Sequence, residues 1–197
     1  MSDSRHSSIQ RKTSETDIDL SLTLDGSGNC KVNTGIGFFD HMLNALTRHT
    51  LFDLDINCKG DLEIDAHHTV EDIGICFGQA LDQALGDKAG IARFGSAYVP
   101  MDEALARSAI DLSGRPYLLY NATFTEDVIG AFPTALALEF FRSLADNTRM
   151  NLHIDLLRGS NAHHGIEAIF KAVARALKQA VERDPRIHGI PSTKGTL

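Results

Sequence analysis

Two copies of one six-residue pattern contain the residues best suited to metal chemistry. Residues 66–71 read AHHTVE and residues 162–167 read AHHGIE, so the pattern occurs once in each half of the chain. On a helix, the Glu shares a face with either His, because it follows the first by four residues and the second by three. Adjacent His side chains diverge by about 100°, which suits two ions better than one. The predicted ligands are His67, His68, Glu71, His163, His164 and Glu167.

Repetition decides between a structural and a metal-binding interpretation of these histidines. Hydrogen bonding in a core explains a single His pair about as well as a metal does. The same arrangement at the same place in both halves favours metal ligands. His41 and Glu139 precede the two patterns at similar distances and each adds one candidate ligand, with His153 in reserve. Nitrogen and oxygen donors without thiolate favour Mn, Fe, Co, Ni or Zn over Cu(I), and open octahedral positions suit Mn or Fe.

The elements that must position these residues follow from hydrophobic periodicity and turn residues. In the first half we predict a hairpin over 18–24 and 30–36, a helix over 39–49, strands over 52–58 and 62–66, and a helix from Thr69 to a stop at Gly86. In the second half we predict strands over 104–112 and 117–124, a helix over 133–147, a strand over 152–156 and a helix over 166–181.

The repeated order of elements predicts an α+β protein of two similar halves, each an antiparallel sheet with helices packed on it. The predicted boundaries are a flexible tail over 1–8, a first half over 9–93, a second half over 94–187 and an irregular C-terminal tail over 188–197. Both metal-type patterns fall where a strand gives way to a helix.

Composition excludes several classes of function. The formal net charge of −7 argues against nucleic-acid binding, which needs a basic surface. The N-terminal residues lack an apolar secretory core, and the most apolar stretch, 128–141, is too short for a transmembrane helix. The three cysteines form no C-x-x-C pair, which is typical of a reducing compartment. We therefore expect a cytoplasmic protein that binds neither membranes nor nucleic acid.

At its motifs the chain resembles the imidazoleglycerol-phosphate dehydratases of histidine biosynthesis, from about Arg11 to Gly195. Besides the two HHxxE patterns, the similar segments are RKTSET (11–16), GFFDHML (37–43), DLSGRP (111–116), LHI (152–154) and PSTKG (191–195). The resemblance implies a ribosomal protein S5 domain 2-like fold in each half. It also implies assembly into 24 subunits with active sites at subunit interfaces.

The resemblance implies loss of water from D-erythro-imidazole glycerol phosphate, giving imidazole acetol phosphate, with two Mn²⁺ ions per active site. Metal ions on the ring nitrogens would stabilise the imidazolate, which can expel the neighbouring hydroxide. Glu15 would act as general acid and base. The residues implied in substrate binding are Glu15, His49, Arg93, Arg115, Lys171, Ser192, Thr193 and Lys194.

Two other functions compete with this lyase. A dinuclear metal hydrolase would use a bridging water, but the chain lacks the Asp-rich motifs expected for one. A metal-linked assembly module would use the same His and Glu residues only to join subunits. Metal removal followed by measurement of oligomer size and turnover separates these hypotheses.

Overall fold

The two halves of the protein share one order of elements, three strands, a helix, a strand and a helix, and the second half adds a short two-stranded ribbon. A computed structural model describes residues 5–197. The first half contains β1 (His6–Lys12), β2 (Thr16–Thr23), β3 (Cys30–Asn33), α1 (Gly37–Thr50), β4 (Asp53–Gly60) and α2 (His67–Leu85). The second half contains β5 (Phe94–Met101), β6 (Ala104–Asp111), β7 (Tyr117–Asn121), a short ribbon of β8 (Val128–Ile129) and β9 (Phe132–Pro133), α3 (Leu136–Thr148), β10 (Asn151–Arg158) and α4 (Ala162–Val181). The predicted α+β class and the two similar halves are confirmed.

Each half forms one four-stranded sheet, and the two sheets have the same topology. The strand orders are β1-β2-β4-β3 and β5-β6-β10-β7. The first two pairings in each sheet are antiparallel, and the last pairing, β3 with β4 or β7 with β10, is parallel. The predicted hairpin between β2 and β3 is therefore wrong, because β4 lies between them. Alternation identifies a strand but not its neighbour, and α1 carries the chain across to the middle of the sheet.

Helices of one half pack against helices of the other. α1 contacts α4 and α2 contacts α3, while α2 and α4 also cover the first and second sheets respectively. Phe140 links the helices, since its ring centroid lies 5.3 Å from the centroids of both Phe39 and Phe170. This packing across the halves places residues of α1 beside residues of α4.

Three local predictions differ from the structure. Residues 62–66 are not a strand: they form a turn leading into α2, and the side chain of Ile64 is exposed. Residues 6–8 begin β1 rather than a flexible tail, and residues 1–4 of the predicted tail lie outside the described residues. β5 was not predicted, because its buried face holds small residues such as Gly95. No helix within residues 5–197 combines the length and apolarity needed to span a bilayer.

Candidate metal centre and substrate site

Packing of α1 on α4 brings three predicted ligands together. Nε2 of His41 lies 3.1 Å from Oε2 of Glu167, and Nε2 of His163 lies 3.2 Å from the same oxygen. One ligand atom from each residue lies within 4.8 Å of the others. We refer to His41, His163 and Glu167 as the α1–α4 cluster. His41 comes from the first half and the other two from the second, so folding alone joins them.

Glu167 is buried and carries the charge of this cluster. Lys171, one turn further along α4, donates to Oε1 of Glu167 at 2.6 Å. Burial raises the pKa of Glu167, but the hydrogen bonds from Lys171 and His41 outweigh burial and lower it. Glu167 is therefore an anion at neutral pH, which is the state required of a metal ligand.

A second group forms where α2 begins. Nε2 of His67 lies 3.7 Å from Oε2 of Glu71 one turn later. Nε2 of His68 lies 3.7 Å from Oε1 of Glu15, which ends the turn between β1 and β2. The rings of His67 and His68 are nearly perpendicular, with centroids 6.1 Å apart, as expected for neighbours on a helix. We refer to Glu15, His67, His68 and Glu71 as the α2 cluster.

Two carboxylates outside the predicted set of ligands are hydrogen-bonded to the second His of each pattern. Nδ1 of His68 lies 3.0 Å from Oδ2 of Asp61, and this hydrogen bond raises the pKa of His68. Nδ1 of His164 lies 2.8 Å from Oε2 of Glu103, and that bond raises the pKa of His164. The pKa of Glu103 falls to about 2, because it accepts bonds from His164 and from the backbone of Asn161. Glu103 directly precedes β6, as Glu15 directly precedes β2. Comparison of the two halves is therefore the sequence signal that could identify Glu103.

The structure places Glu139 and His153 apart from the α1–α4 cluster. Glu139 on α3 pairs with Arg142 one turn later at 3.2 Å. His153 lies on the exposed face of the second sheet, where its ring centroid is 5.7 Å from that of Tyr117. Within residues 5–197, neither belongs to a group of three His, Cys, Asp or Glu residues close enough to hold one ion. Glu139 remains a predicted ligand, and His153 sits against an aromatic ring instead.

The predicted phosphate-binding residues fall in two places. Arg93 donates to both carboxylate oxygens of Asp111 and, at 2.9 Å, to the carbonyl of Pro191, which fixes the start of the PSTKG segment. The turn that contains Arg115 lies beside the C-terminus, since a Cβ built on Gly114 would come 2.5 Å from the carbonyl carbon of Leu197. The residues in this region are Arg93, Arg115, Ser192, Thr193 and Lys194.

Lys171 and His49 lie elsewhere, on the facing surfaces of α4 and α1. Burial lowers the pKa of His49, and the nearby charges of Lys171 and Arg175 lower it further. The backbone of Arg93 bonds the carbonyl of Ala180, so Arg93 meets α4 nine residues beyond Lys171. Nine residues of helix span roughly 14 Å. The two groups of cations in one chain are thus separated along α4.

Comparison with known proteins identifies the family. The sequence profile described as "Imidazoleglycerol-phosphate dehydratase" matches residues 34–177. The imidazoleglycerol-phosphate dehydratase of Gluconobacter oxydans is 59% identical to this chain, and the alignment covers 100% of both proteins. This chain belongs to the imidazoleglycerol-phosphate dehydratase family. The dehydratase of Acetivibrio thermocellus is 58% identical, over 96% of this chain and 97% of the relative.

Solved structures of imidazoleglycerol-phosphate dehydratases share the fold. The crystal structure of the Staphylococcus aureus dehydratase superposes with a TM-score of 0.83 at 44% identity, covering 91% of this chain and 99% of that one. The Pyrococcus furiosus structure gives the same TM-score at 36% identity, covering 96% and 100%. The match to the family profile includes both HHxxE patterns and His41. Glu15 and residues 192–194 lie outside that match but within the full-length alignment.

Proposed function

We propose that this chain catalyses the metal-dependent loss of water from D-erythro-imidazole glycerol phosphate, giving imidazole acetol phosphate in histidine biosynthesis. Its membership of the imidazoleglycerol-phosphate dehydratase family supports the reaction, a carbon–oxygen lyase step. The observation that carries the metal dependence is the α1–α4 cluster, because residues from both halves converge within 4.8 Å. A buried carboxylate between two imidazoles is a donor set for a divalent transition metal.

The donor chemistry fits Mn²⁺. The cluster residues offer imidazole nitrogen and carboxylate oxygen, and the three cysteines lie elsewhere as free thiols. The proposed ligands for two ions are His41, His67, His68, Glu71, Glu139, His163, His164 and Glu167. When bound, Mn²⁺ would supply Lewis-acid stabilisation of negative charge on the substrate imidazole. The protein's part is to hold the ring, bind the phosphate and move protons.

Glu15 is the proposed proton carrier. Its side chain is half exposed, 3.7 Å from Nε2 of His68, and lines a groove of about 290 Å³ shared with Thr13, Lys59 and Asp61. In the dehydration, the hydroxide leaves the carbon attached to the imidazole and a proton leaves the next carbon. Glu15 would take that proton and deliver one to the departing hydroxide, so that water is released and an enol is left. Loss of the enol O–H proton and addition of a proton to the carbon attached to the imidazole would then give the ketone.

The phosphate would be held by cations gathered around the C-terminal segment. Arg93 is pre-organised by Asp111, and Arg115, Ser192, Thr193 and Lys194 supply further donors. Guanidinium groups suit phosphate because they donate two parallel hydrogen bonds. Lys171 and His49, beside the α1–α4 cluster, would contact the substrate near the metals.

We propose that the active sites lie between subunits of a homo-oligomer, with 24 subunits as the expected number. A single chain places three close ligand atoms in the α1–α4 cluster, fewer than an octahedral ion takes. The outer face of the second sheet also exposes aromatic side chains, with Phe94, Tyr98 and Tyr117 each more than half accessible. Aromatic residues on an exposed face are typical of surfaces that another subunit covers.

A cytoplasmic location is part of the proposal. Cys30, Cys58 and Cys76 are free thiols. Burial raises the pKa of Cys58 to about 12 and that of Cys76 to about 11, so both stay protonated and unreactive. Unpaired thiols of this kind are typical of proteins in a reducing compartment.

Metal removal tests the proposal. We expect the purified protein to contain Mn²⁺ or a similar divalent metal, to lose dehydration of imidazole glycerol phosphate after chelation, and to regain it when Mn²⁺ is restored. His163→Ala should abolish Mn²⁺-dependent turnover. The matched control is His6→Ala, an exposed imidazole on β1 that bonds Ser21, and it should turn over like the wild type.

Two results would contradict the proposal. Full turnover by metal-free protein would exclude the metal dependence. Loss of the oligomer after chelation, with no dehydration activity in the metal-loaded oligomer, would instead indicate that the metals only join subunits. Elemental analysis and size measurement on the same samples separate these results.

A further inference from the structure

We infer that Asp61 and Glu103 are positioning residues, each of which holds the second imidazole of an HHxxE pattern with its Nε2 directed to a metal. The inference rests on the metal dependence proposed above. It assigns Nε2, rather than Nδ1, as the ligand atom of His68 and His164.

In the first half, Asp61 lies behind His68. Its two carboxylate oxygens are 3.2 and 3.0 Å from Nδ1 of His68, and its side chain is 13% exposed. Asp61 directly follows β4, and its backbone N–H donates to the carbonyl of Glu15 at 3.0 Å. On the other side of the ring, Nε2 of His68 faces the Glu15 carboxylate at 3.7 Å. The imidazole therefore lies between a fixed carboxylate and the proposed proton carrier.

In the second half, Glu103 has the same relation to His164. One carboxylate oxygen lies 2.8 Å from Nδ1 of His164. The other accepts the backbone N–H groups of Ser160, at 3.2 Å, and Asn161, at 2.9 Å, just before α4. Both oxygens of Glu103 therefore take part in hydrogen bonds. The two backbone N–H groups hold the carboxylate in place beside the imidazole.

A carboxylate in this place determines which ring nitrogen is free. An ionised carboxylate only accepts hydrogen bonds, so a neutral imidazole bonded to it carries its proton on Nδ1 and leaves the lone pair on Nε2. A ligating histidine commonly has such a carboxylate behind it, and the bond fixes both tautomer and ring orientation. An amide in the same place can donate to Nδ1, which moves the proton to Nε2 and blocks the ligand atom.

The carboxylate behind the imidazole comes from a different position in each half. The arrangement is therefore not a simple consequence of the internal repeat. Asp61 follows β4, whereas Glu103 precedes β6. The repeat equivalent of Glu103 is Glu15, since β6 and β2 hold the same place in their sheets. Glu15 lies nearest Nε2 of His68, but Glu103 bonds Nδ1 of His164. Equivalent carboxylates therefore contact opposite sides of equivalent rings, and one carboxylate still reaches each Nδ1.

Isosteric variants with matched controls test the inference. The test variants are Asp61→Asn and Glu103→Gln. Each helix start supplies a control carboxylate that accepts a backbone N–H without contacting a ring: Asp65 accepts from His67 at 2.7 Å, and Glu126 accepts from Ala162 at 3.2 Å. The control variants are therefore Asp65→Asn and Glu126→Gln. Mn²⁺ is titrated into metal-free protein, and unbound Mn²⁺ is measured by its electron paramagnetic resonance signal.

We expect each test variant to bind Mn²⁺ about 10- to 100-fold more weakly than the wild type, the effect typical of losing a carboxylate behind a ligating His. Each control variant should stay within about twofold. Circular dichroism and oligomer size verify folding, and the two test variants are independent because they lie in different halves.

Three results would overturn the inference. Test variants that bind Mn²⁺ as tightly as the wild type would show that the two carboxylates do not position ligands. An equal loss in Glu126→Gln and Glu103→Gln would assign the effect to the helix start rather than to the imidazole. Wild-type protein that binds no Mn²⁺ would remove the proposed metal dependence, and the inference with it.

Discussion

Glu15 differs from Glu167 and Glu103 in how freely its carboxylate can move. Glu167 is buried and bonded to Lys171, and Glu103 is anchored by two backbone N–H groups. Within residues 5–197 the side chain of Glu15 takes part in no hydrogen bond, and 49% of it is exposed. A general acid and base must gain and lose a proton in each cycle, which a carboxylate fixed in an ion pair does poorly. Glu15 is therefore better suited to proton transfer than Glu167 or Glu103.

Glu15→Gln should separate chemistry from binding. The amide keeps the size of the side chain but cannot accept the substrate proton, so we expect kcat to fall by about 100- to 10,000-fold. KM and Mn²⁺ affinity should change little. The control is Glu63→Gln, which alters an exposed carboxylate lining the same groove and should leave kcat unchanged. Steady-state kinetics and Mn²⁺ titration measure these values, and an unchanged kcat in Glu15→Gln would exclude Glu15 as the proton carrier.

Helix α2 meets α3 through two glycines one turn apart. A Cβ built on Gly74 would lie 2.8 Å from the carbonyl oxygen of Phe140, and one built on Gly78 would lie 2.8 Å from that of Leu144. Backbone atoms cannot move aside as a side chain can. The close approach matters for function because α2 carries the first HHxxE pattern and α3 carries Glu139. The distance between these helices depends on the two glycines.

Gly78→Ala should destabilise the protein despite the higher helix propensity of alanine. Overpacking costs about 1–3 kcal/mol, while the propensity gain is about 1 kcal/mol, so we expect a net loss of up to about 2 kcal/mol. The thermal midpoint should fall by several degrees. Gly37→Ala is the control, since a Cβ on this α1 residue meets nothing within 4 Å. Equal midpoints for the two variants would refute the packing argument.

Periodicity predicted the helices and the internal strands well, because their buried faces hold large apolar residues. The buried face of β2, for example, holds Ile18, Leu20 and Leu22. β1 was missed because its inward face includes Ser7, which bonds Gln83 on α2 instead of packing as a hydrophobic residue. The order of the strands was not predictable from alternation, which carries no information about a strand's neighbours.

The sequence predicted those site residues that belong to a short motif. The HHxxE patterns identified the histidines, but the partners of His68 and His164 come from other segments. Asp61 belongs to no motif, Glu103 could be identified only as the repeat equivalent of Glu15, and only the folded chain brings them to Nδ1 of each ring. The convergence of His41 with His163 likewise depends on the packing of α1 against α4.

The acidic net charge of the protein is compatible with an anionic substrate. The formal charge of −7 is an average over the chain, while cations gather near the C-terminal segment and beside the α1–α4 cluster. Local potential, rather than net charge, governs the binding of a small anion. The separation of these two groups by roughly 14 Å along α4 in one chain also favours sites completed by a neighbouring subunit.

Mixed oligomers test whether each active site combines the α1–α4 cluster of one subunit with the α2 cluster of another. His163→Ala disables the first cluster and Glu15→Gln the second. Random co-assembly of these two inactive chains pairs intact clusters in roughly one quarter of the sites, so co-expression should restore about that share of wild-type turnover. Co-expression of Glu15→Gln with His68→Ala, both in the α2 cluster, should restore none. Turnover no higher in the first mixture than in this control would show that both clusters of a site belong to one chain.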